Sequence, residues 1–296
     1  MSNRTLDLLV SLGVCDPADV EVFYPRVRDR DDIAVMRCRK SGVMFLSRSD
    51  HVTETWYTRR ASLSDWTTGS RQEAIRACYD DDSRRAGQFG SHVRNKRWLD
   101  VGTGVGGILD LLSSSASRTC AVEPQEGARR ALQTCGYEVH AAIEELGDSR
   151  FDIVTMFHVL EHLPDPLESL RQVAARLDEG GRVVIEVPHA RDFLIWTGSD
   201  AFRKFTFWSE HLILHTRSSL EAICRAAGLD AVEVSGYQRY PVANHLHWLS
   251  TGLPGGHTEW SFLVDDDLDR AYAATLARVD RTDTLIAVAG RRSSQP

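Results

Sequence analysis

The sequence predicts an α/β chain built on a doubly wound, mostly parallel sheet of seven strands whose last strand runs antiparallel. Three observations carry this reading. From Arg97 onward, short apolar runs alternate with helical segments, the pattern of strands covered by helices on both faces. The run RVVIEV at 182–187 is apolar almost throughout, as suits a strand buried on both sides. The first strand of the series leads into a glycine-rich turn and then directly into a helix. A chain of 296 residues can bury one such core and still hold roughly a hundred residues of further structure. One Rossmann-like domain with additions is therefore expected: an N-terminal appendage and lid over 1–95, the main domain over 96–296, and an insertion at about 238–265 before the last strand.

The appendage mixes short apolar pieces with charge runs at 26–32 and 80–85. Two β-rich runs, 33–36 and 43–46, flank Cys38, Ser41 and Gly42 and predict a hairpin. The first strand of the main domain is read at 98–101, running into Gly102-Thr103-Gly104-Val105-Gly106-Gly107, with a helix from Ile108. A second strand at 120–122 closes on Glu123-Pro124, and the helix over 126–134 stops at Gly136, a residue suited to a left-handed cap. Val139 centres a short third strand, and 151–157 forms the fourth. Pro166 is acceptable in the first turn of the next helix, which places Leu167, Leu170, Val173 and Leu177 near one face before Gly180-Gly181 end it. The fifth strand follows at 182–187. Ser218-Ser219-Leu220-Glu221 has capping-box spacing for a helix that runs to Gly228. A sixth strand at 231–235, a helix around 268–279 and a seventh strand at 284–289, antiparallel beside the sixth, complete the series.

Composition narrows the partners. A net charge of −7 leaves no broad basic field for a phosphate backbone, so a small-molecule substrate is expected and nucleic acid is not. Six cysteines without framework spacing read as reduced thiols. No apolar run approaches the roughly 20 residues that span a bilayer, and the start lacks a signal-type apolar region, so a soluble cytoplasmic protein is expected, with a homodimer left open.

The glycine turn is the first chemical signal. Glycines let the backbone approach a ligand closely, and the following helix start offers unpaired N–H groups. Gly102, Gly104 and Gly107 also satisfy the dinucleotide fingerprint, so an NAD-dependent oxidoreductase competes. Asp100, on the strand before the turn, separates the two: its carboxylate answers the amino group of a methionine moiety and repels a pyrophosphate. Glu123 can accept the ribose hydroxyls of either cofactor.

Leu99-Asp100-Val101-Gly102-Thr103-Gly104 resembles the first motif of class I S-adenosylmethionine (SAM)-dependent methyltransferases, and Val122-Glu123-Pro124 their acidic second motif. Phe151-Asp152-Ile153-Val154 with Phe157-His158-Val159-Leu160-Glu161-His162 is similar to their fourth strand and the loop after it, and Leu177 to Pro188 to their helix-to-strand-five junction. These motifs cover residues 97–190 in order and spacing, like those of ubiquinone-type and sugar methyltransferases. The resemblance implies SAM as cofactor. By position, Gly102 and Gly104 would approach its methionine part, Glu123 with Pro124 its ribose, and Ile143 or Glu144 the adenine edge. Phe157 and His158 would line the floor near the sulfonium. Thr103 stands where many relatives carry Cys or another small residue.

Methyl transfer from a sulfonium is an in-line displacement that asks chiefly for alignment, with a base where the acceptor must lose a proton. Histidines at the mouth suit that task. His158 and His162 follow the fourth strand, His189 follows the fifth, and Glu210-His211 precedes the sixth-strand unit. His162 is read as structural. Ser209-Glu210-His211-Leu212 with Ser219-Leu220 and Ala226-Ala227-Gly228-Leu229 resembles a stretch of sugar C-methyltransferases whose Glu-His pair contributes to catalysis. That implies His211 as base with Glu210 as its companion, and His189 joins them as a candidate by its position after the fifth strand. Cys38-Arg39-Lys40-Ser41-Gly42 resembles a degraded form of their zinc knuckle; with its other thiolates missing and no motif such as His-Glu-x-x-His present, no metal is expected. The insertion brings Tyr240, Asn244 and His245 as candidate substrate-binding groups, joined by Trp208 and by Tyr57 or Trp66 of the appendage. The activity implied is methylation of a small polar metabolite, a sugar or sugar-containing natural product, on oxygen or nitrogen rather than carbon. A non-catalytic SAM-fold partner-binding protein is the third reading.

Overall fold

The computed structural model of the protein describes residues 3–53 and 70–291; Tyr57 and Trp66 lie outside them. Helix α1 (Arg4–Ser11), capped by the Asn3 side chain, precedes strands β1 (Val20–Tyr24), β2 (Val35–Cys38) and β3 (Met44–Leu46). The expected hairpin is β2 and β3, paired antiparallel. β1 was not legible as a strand. These strands form a four-stranded sheet that takes its fourth member, β9 (Ile213–Leu214), from a segment far along the chain.

Helix α2 (Arg71–Val93) opens with a capping box of Ser70 and Glu73, and it contains the 80–85 charge run. The main sheet then begins with β4 (Arg97–Val101), followed by α3 (Gly107–Leu112), β5 (Arg118–Val122), α4 (Glu126–Thr134), β6 (Glu138–His140) and β7 (Phe151–Phe157). Helix α5 (Pro166–Arg176), capped by Asp165, leads to β8 (Leu177–Pro188). The helix ends earlier than expected because Leu177 pairs with Phe151 of β7, and this ladder bond draws it into the strand.

After β8 come α6 (Phe193–Trp196), α7 (Asp200–Thr206), β9, and α8 (Arg217–Ala226). The cap of α8 is Thr216, not Ser218: its hydroxyl accepts the Ser219 N–H while Ser219 Oγ accepts the Thr216 N–H at 2.8 Å. β10 (Leu229–Tyr237) precedes the insertion, which folds into α9 (Val242–Thr251) and the one-turn α10 (Gly256–Glu259); α11 (Asp266–Arg278) and β11 (Thr284–Arg291) follow.

The main sheet has the order β10-β11-β8-β7-β4-β5-β6. β11 lies antiparallel between β10 and β8, and the other pairings are parallel, so the expected fold class holds. Both faces are covered, one by a cluster around Leu99, Val154, Leu170, Ile185 and Leu220, the other by Trp98, Leu109, Leu132 and Ile286. A third cluster joins Ile33, Met44 and Phe45 to Leu194, Phe207 and Trp248, tying the N-terminal sheet to the 190–214 segment and the insertion. Among the described residues, no helix is long and apolar enough to cross a membrane.

Candidate active site

The glycine turn sits where parallel strands β4 and β5 end. Gly102, Gly104 and Gly106 all adopt φ between 57° and 74°, a region costly for any residue with a Cβ. A Cβ on Gly102 would collide with Val159, and one on Gly107 with the Asp82 carboxylate of α2; at Gly104 nothing lies within 4 Å. Gly104 is therefore the open position, a cradle that a side chain would fill.

Asp100 faces this turn from within the sheet. Its Oδ1 accepts the Thr155 hydroxyl at 2.6 Å, and Thr155 in turn accepts the Trp98 indole N–H at 2.8 Å. Burial pushes the Asp100 carboxyl up to about 6, against the opposing hydrogen bond from Thr155. Glu123 accepts the Gly104 N–H and the Gln125 N–H, both at 2.8 Å, yet burial lifts it to about 7. Of the remaining cofactor candidates, Pro124 offers its carbonyl to Arg129, Ile143 packs into the core, and exposed Glu144 accepts from Gln172 at 2.7 Å. Phe157 stacks on Phe89 of α2 at 5.5 Å.

His158 marks the junction of two halves. It holds φ 53°, strained for a non-glycine residue, and strain of this kind gathers at functional sites. Its Nδ1 lies 2.9 Å from Glu161 and its Nε2 3.3 Å from Glu186. Burial opposes its charge, but these two carboxylates outweigh burial and raise its pKa. Glu186, wholly buried on β8, also receives Arg84 (2.9 Å) and Arg85 (2.7 Å) from α2. Sequence reading passed over all four partners. Glu186 was the visible signal: a lone charge inside an apolar strand needs a buried counter-ion. The 80–85 run, noted in the sequence only as a charge run of the appendage, spaces Asp81 with Arg84 and Asp82 with Arg85 at i,i+3 on one helix, and it turns inward.

Beyond His158 lies a cavity of about 360 Å³. His189 and His211 line it, as do Tyr240, Asn244 and His245 of the insertion, so with His158 six of the sequence-selected residues converge there. Asp192, Arg239 and Asp283 add polar groups, while Phe202, Phe205 and Trp248 form an aromatic wall. Burial, then the charge of Asp283, lifts the Asp192 carboxyl to about 8. His189 directs Nδ1 to the Thr282 carbonyl (2.9 Å), and burial lowers its pKa to about 4. His245 bridges Tyr272 and Gln238 at 2.8 and 3.1 Å. Trp208 stands behind His211, ring centroids 5.8 Å apart, under the Arg28 guanidinium. Glu210 is buried outside the lining, and its backbone carbonyl accepts from His162 Nδ1 at 3.0 Å.

Residues 71–234 match the family model for a methyltransferase domain. The chain is 27% identical over 201 residues to the ubiquinone biosynthesis O-methyltransferase of Azotobacter vinelandii, covering 59% of this chain and 83% of the relative. With the protein of that name from Aromatoleum aromaticum it shares 30% over 166 residues, 51% and 70% of the two chains. Among solved structures, phosphoethanolamine N-methyltransferase 2 of Haemonchus contortus, bound to phosphomonomethylethanolamine and S-adenosylhomocysteine, aligns with TM-score 0.52 at 16% identity, over 82% of this chain and 61% of that one. A Haloferax volcanii methyltransferase in complex with its Trm112 activator aligns with TM-score 0.52 at 17% identity, over 75% and 95%. These last two establish likeness of fold.

Proposed function

This chain belongs to the methyltransferase-domain family and is a SAM-dependent methyltransferase, and we propose that its acceptor is a small polyhydroxylated metabolite, a sugar or a sugar-bearing natural product, methylated on oxygen or nitrogen. The observation that carries this is the cavity next to His158, where hydrogen-bonding groups from several separate segments face an aromatic wall. Carboxylates, imidazoles and an amide suit hydroxyl groups, and aromatic faces suit the apolar face of a sugar ring. The O-methyltransferase names of the curated relatives support oxygen as the attacking atom.

SAM supplies a methyl group on a sulfonium, already electrophilic, so the protein's contribution is alignment and control of charge. In this reading Asp100 answers the cofactor's amino group, Gly102 and Gly104 admit its backbone-hugging part, Glu123 and Pro124 meet the ribose, and Ile143 with Glu144 border the adenine. Phe157 and His158 separate that crevice from the acceptor. The open cradle at Gly104 and the buried carboxylates fit such a group without rearrangement of the sheet. His211 is the cavity residue on which acceptor activation depends, with His189 beside it, Glu210 holding the local backbone, and Tyr240, Asn244, His245 and Trp208 shaping the acceptor's surroundings.

Calorimetric titration with S-adenosylhomocysteine and with NAD tests the cofactor half. Tight binding of the former alone is expected, and a preference for NAD would reverse the assignment. A screen with methyl-labelled SAM against sugars, nucleotide sugars and glycosylated aglycones tests the acceptor half; label appearing only on non-sugar phenols or amines removes the sugar reading.

A further inference from the structure

Behind the cavity floor, three side chains converge from two segments about fifty residues apart. Glu161 and His162 come from the loop after β7, and His211 comes from the turn before β9; one donor atom from each lies within 4.8 Å of the other two. Glu161 is wholly buried. Its Oε1 accepts from His158 at 2.9 Å, while its Oε2 is buried with no hydrogen-bond partner among the described residues. An orphaned carboxylate oxygen in a dry site is costly, and it calls for a cation.

The two imidazoles are arranged to match. His162 Nδ1 is engaged by the Glu210 carbonyl at 3.0 Å, which fixes the ring and turns Nε2 toward Glu161, 3.9 Å away. A backbone carbonyl on the remote ring nitrogen is the usual orienting contact of a metal-binding histidine. The His162 and His211 rings sit 4.8 Å apart at 67°.

We propose that Glu161, His162 and His211 form a binding site for one divalent cation of the Zn²⁺ class, with its open coordination position facing the acceptor cavity. Two histidines and a carboxylate with one vacant position are the donor set of catalytic rather than structural zinc sites. His211 lines the cavity, so the fourth ligand is water or an acceptor oxygen. A cation there would lower the pKa of whichever hydroxyl takes that position. This inference rests on the methyltransferase reading and changes the part of His211 from base to ligand. It also replaces the expectation of no metal, which came from searching for a local motif; these ligands meet only in space. The other such cluster among the described residues, Cys120 with Glu138 and His140, has both oxygens of its carboxylate taken by Arg118, whereas Glu161 keeps one open.

The test uses the full chain stripped with a chelator, then titrated with Zn²⁺ by calorimetry and with Co²⁺ by visible absorption, alongside S-adenosylhomocysteine binding. One equivalent of metal is expected, with the d–d bands of four- or five-coordinate Co²⁺. Glu161→Gln, His162→Ala and His211→Ala should each weaken metal affinity by about a hundredfold, while His189→Ala, altered in the same cavity but outside the triad, should bind as the parent does. No stoichiometric metal in the parent chain, or unchanged affinity in His211→Ala, would overturn the site. If metal binding fails while S-adenosylhomocysteine binds, the cation site alone falls; if metal binds and S-adenosylhomocysteine does not, the methyltransferase reading falls and the cation site stands.

Discussion

The crevice at the ends of β4 and β5 and the cavity beyond His158 are built in opposite ways. In the crevice, Asp100, the glycine turn and Glu123 lie within a single strand–turn–helix–strand unit, held by strand register and by backbone conformations that glycine alone permits. In the cavity, His189, His211, Arg239 and Asn244 arrive from separate elements and are positioned by a satellite core and by buried charge. A local unit tolerates little change at its turn but survives change elsewhere. A convergent cavity should respond to substitutions far from its lining. Glu186 joins the two, since its carboxylate holds α2 through Arg84 and Arg85 and touches His158.

The sharpest way to break the contrast is Gly102→Val. The new side chain would collide with Val159 at a positive φ, so a loss of about 3 kcal/mol or more in chemical denaturation is expected. Gly104→Ala, at an open position, should cost only about 1–2 kcal/mol while still weakening S-adenosylhomocysteine binding. Equal destabilisation by the two would show that the turn does not distinguish a packed glycine from a ligand-facing one.

Next in size is Glu186→Ala. Removing one carboxylate leaves Arg84, Arg85 and His158 facing each other in a buried site, and about 3 kcal/mol of stability should go with it. A melting temperature unchanged within a degree or two would mean that α2 docks by its apolar contacts alone.

His211→Ala should lower turnover by about a hundredfold while leaving S-adenosylhomocysteine affinity within about twofold, as read by steady-state kinetics and calorimetry. A parallel loss of cofactor affinity would merge the two regions into one.

The smallest effect is the pH dependence of the crevice. Glu123 is raised to about 7 and Asp100 to about 6, so the folded protein binds more protons than the unfolded chain between ordinary carboxyl values and pH 7. The contribution of these two groups to the stability of the cofactor-free protein therefore falls as pH rises from 5 to 8. Buried His189, His211, His215 and His245, whose pKa values are lowered, pull the other way, so the crevice is read as the difference between the parent and Glu123→Gln. Over the same interval affinity for S-adenosylhomocysteine should rise, because the ionised carboxylates are the better acceptors. Glu123→Gln should flatten both trends, and profiles identical to the parent would remove Glu123 from the account.

The strands, the glycine turn and the crevice carboxylates were legible because apolar period, turn chemistry and sequence spacing place them within a few residues of one another. Six cavity residues were also found, but only as candidates on separate segments. The Asp81-to-Arg85 cluster was noted only as a charge run of the appendage, since an i,i+3 charge pattern looks the same whether the helix faces water or a buried Glu186. Thr216 displaced Ser218 as helix cap because two overlapping runs of polar residues offer the same spacing.

By itself, then, the sequence determined what depends on near neighbours: the succession of the main sheet's strands, the positive-φ turn, and two acidic groups beside it. Tertiary structure alone decided which distant charges share a dry space, that the Glu210 backbone aims His162, and that Glu161 keeps one oxygen unpaired. The physical reason is range. Backbone preferences act over a few residues, whereas desolvation and charge pairing depend on distance in space, which the chain sets only once it has closed on itself.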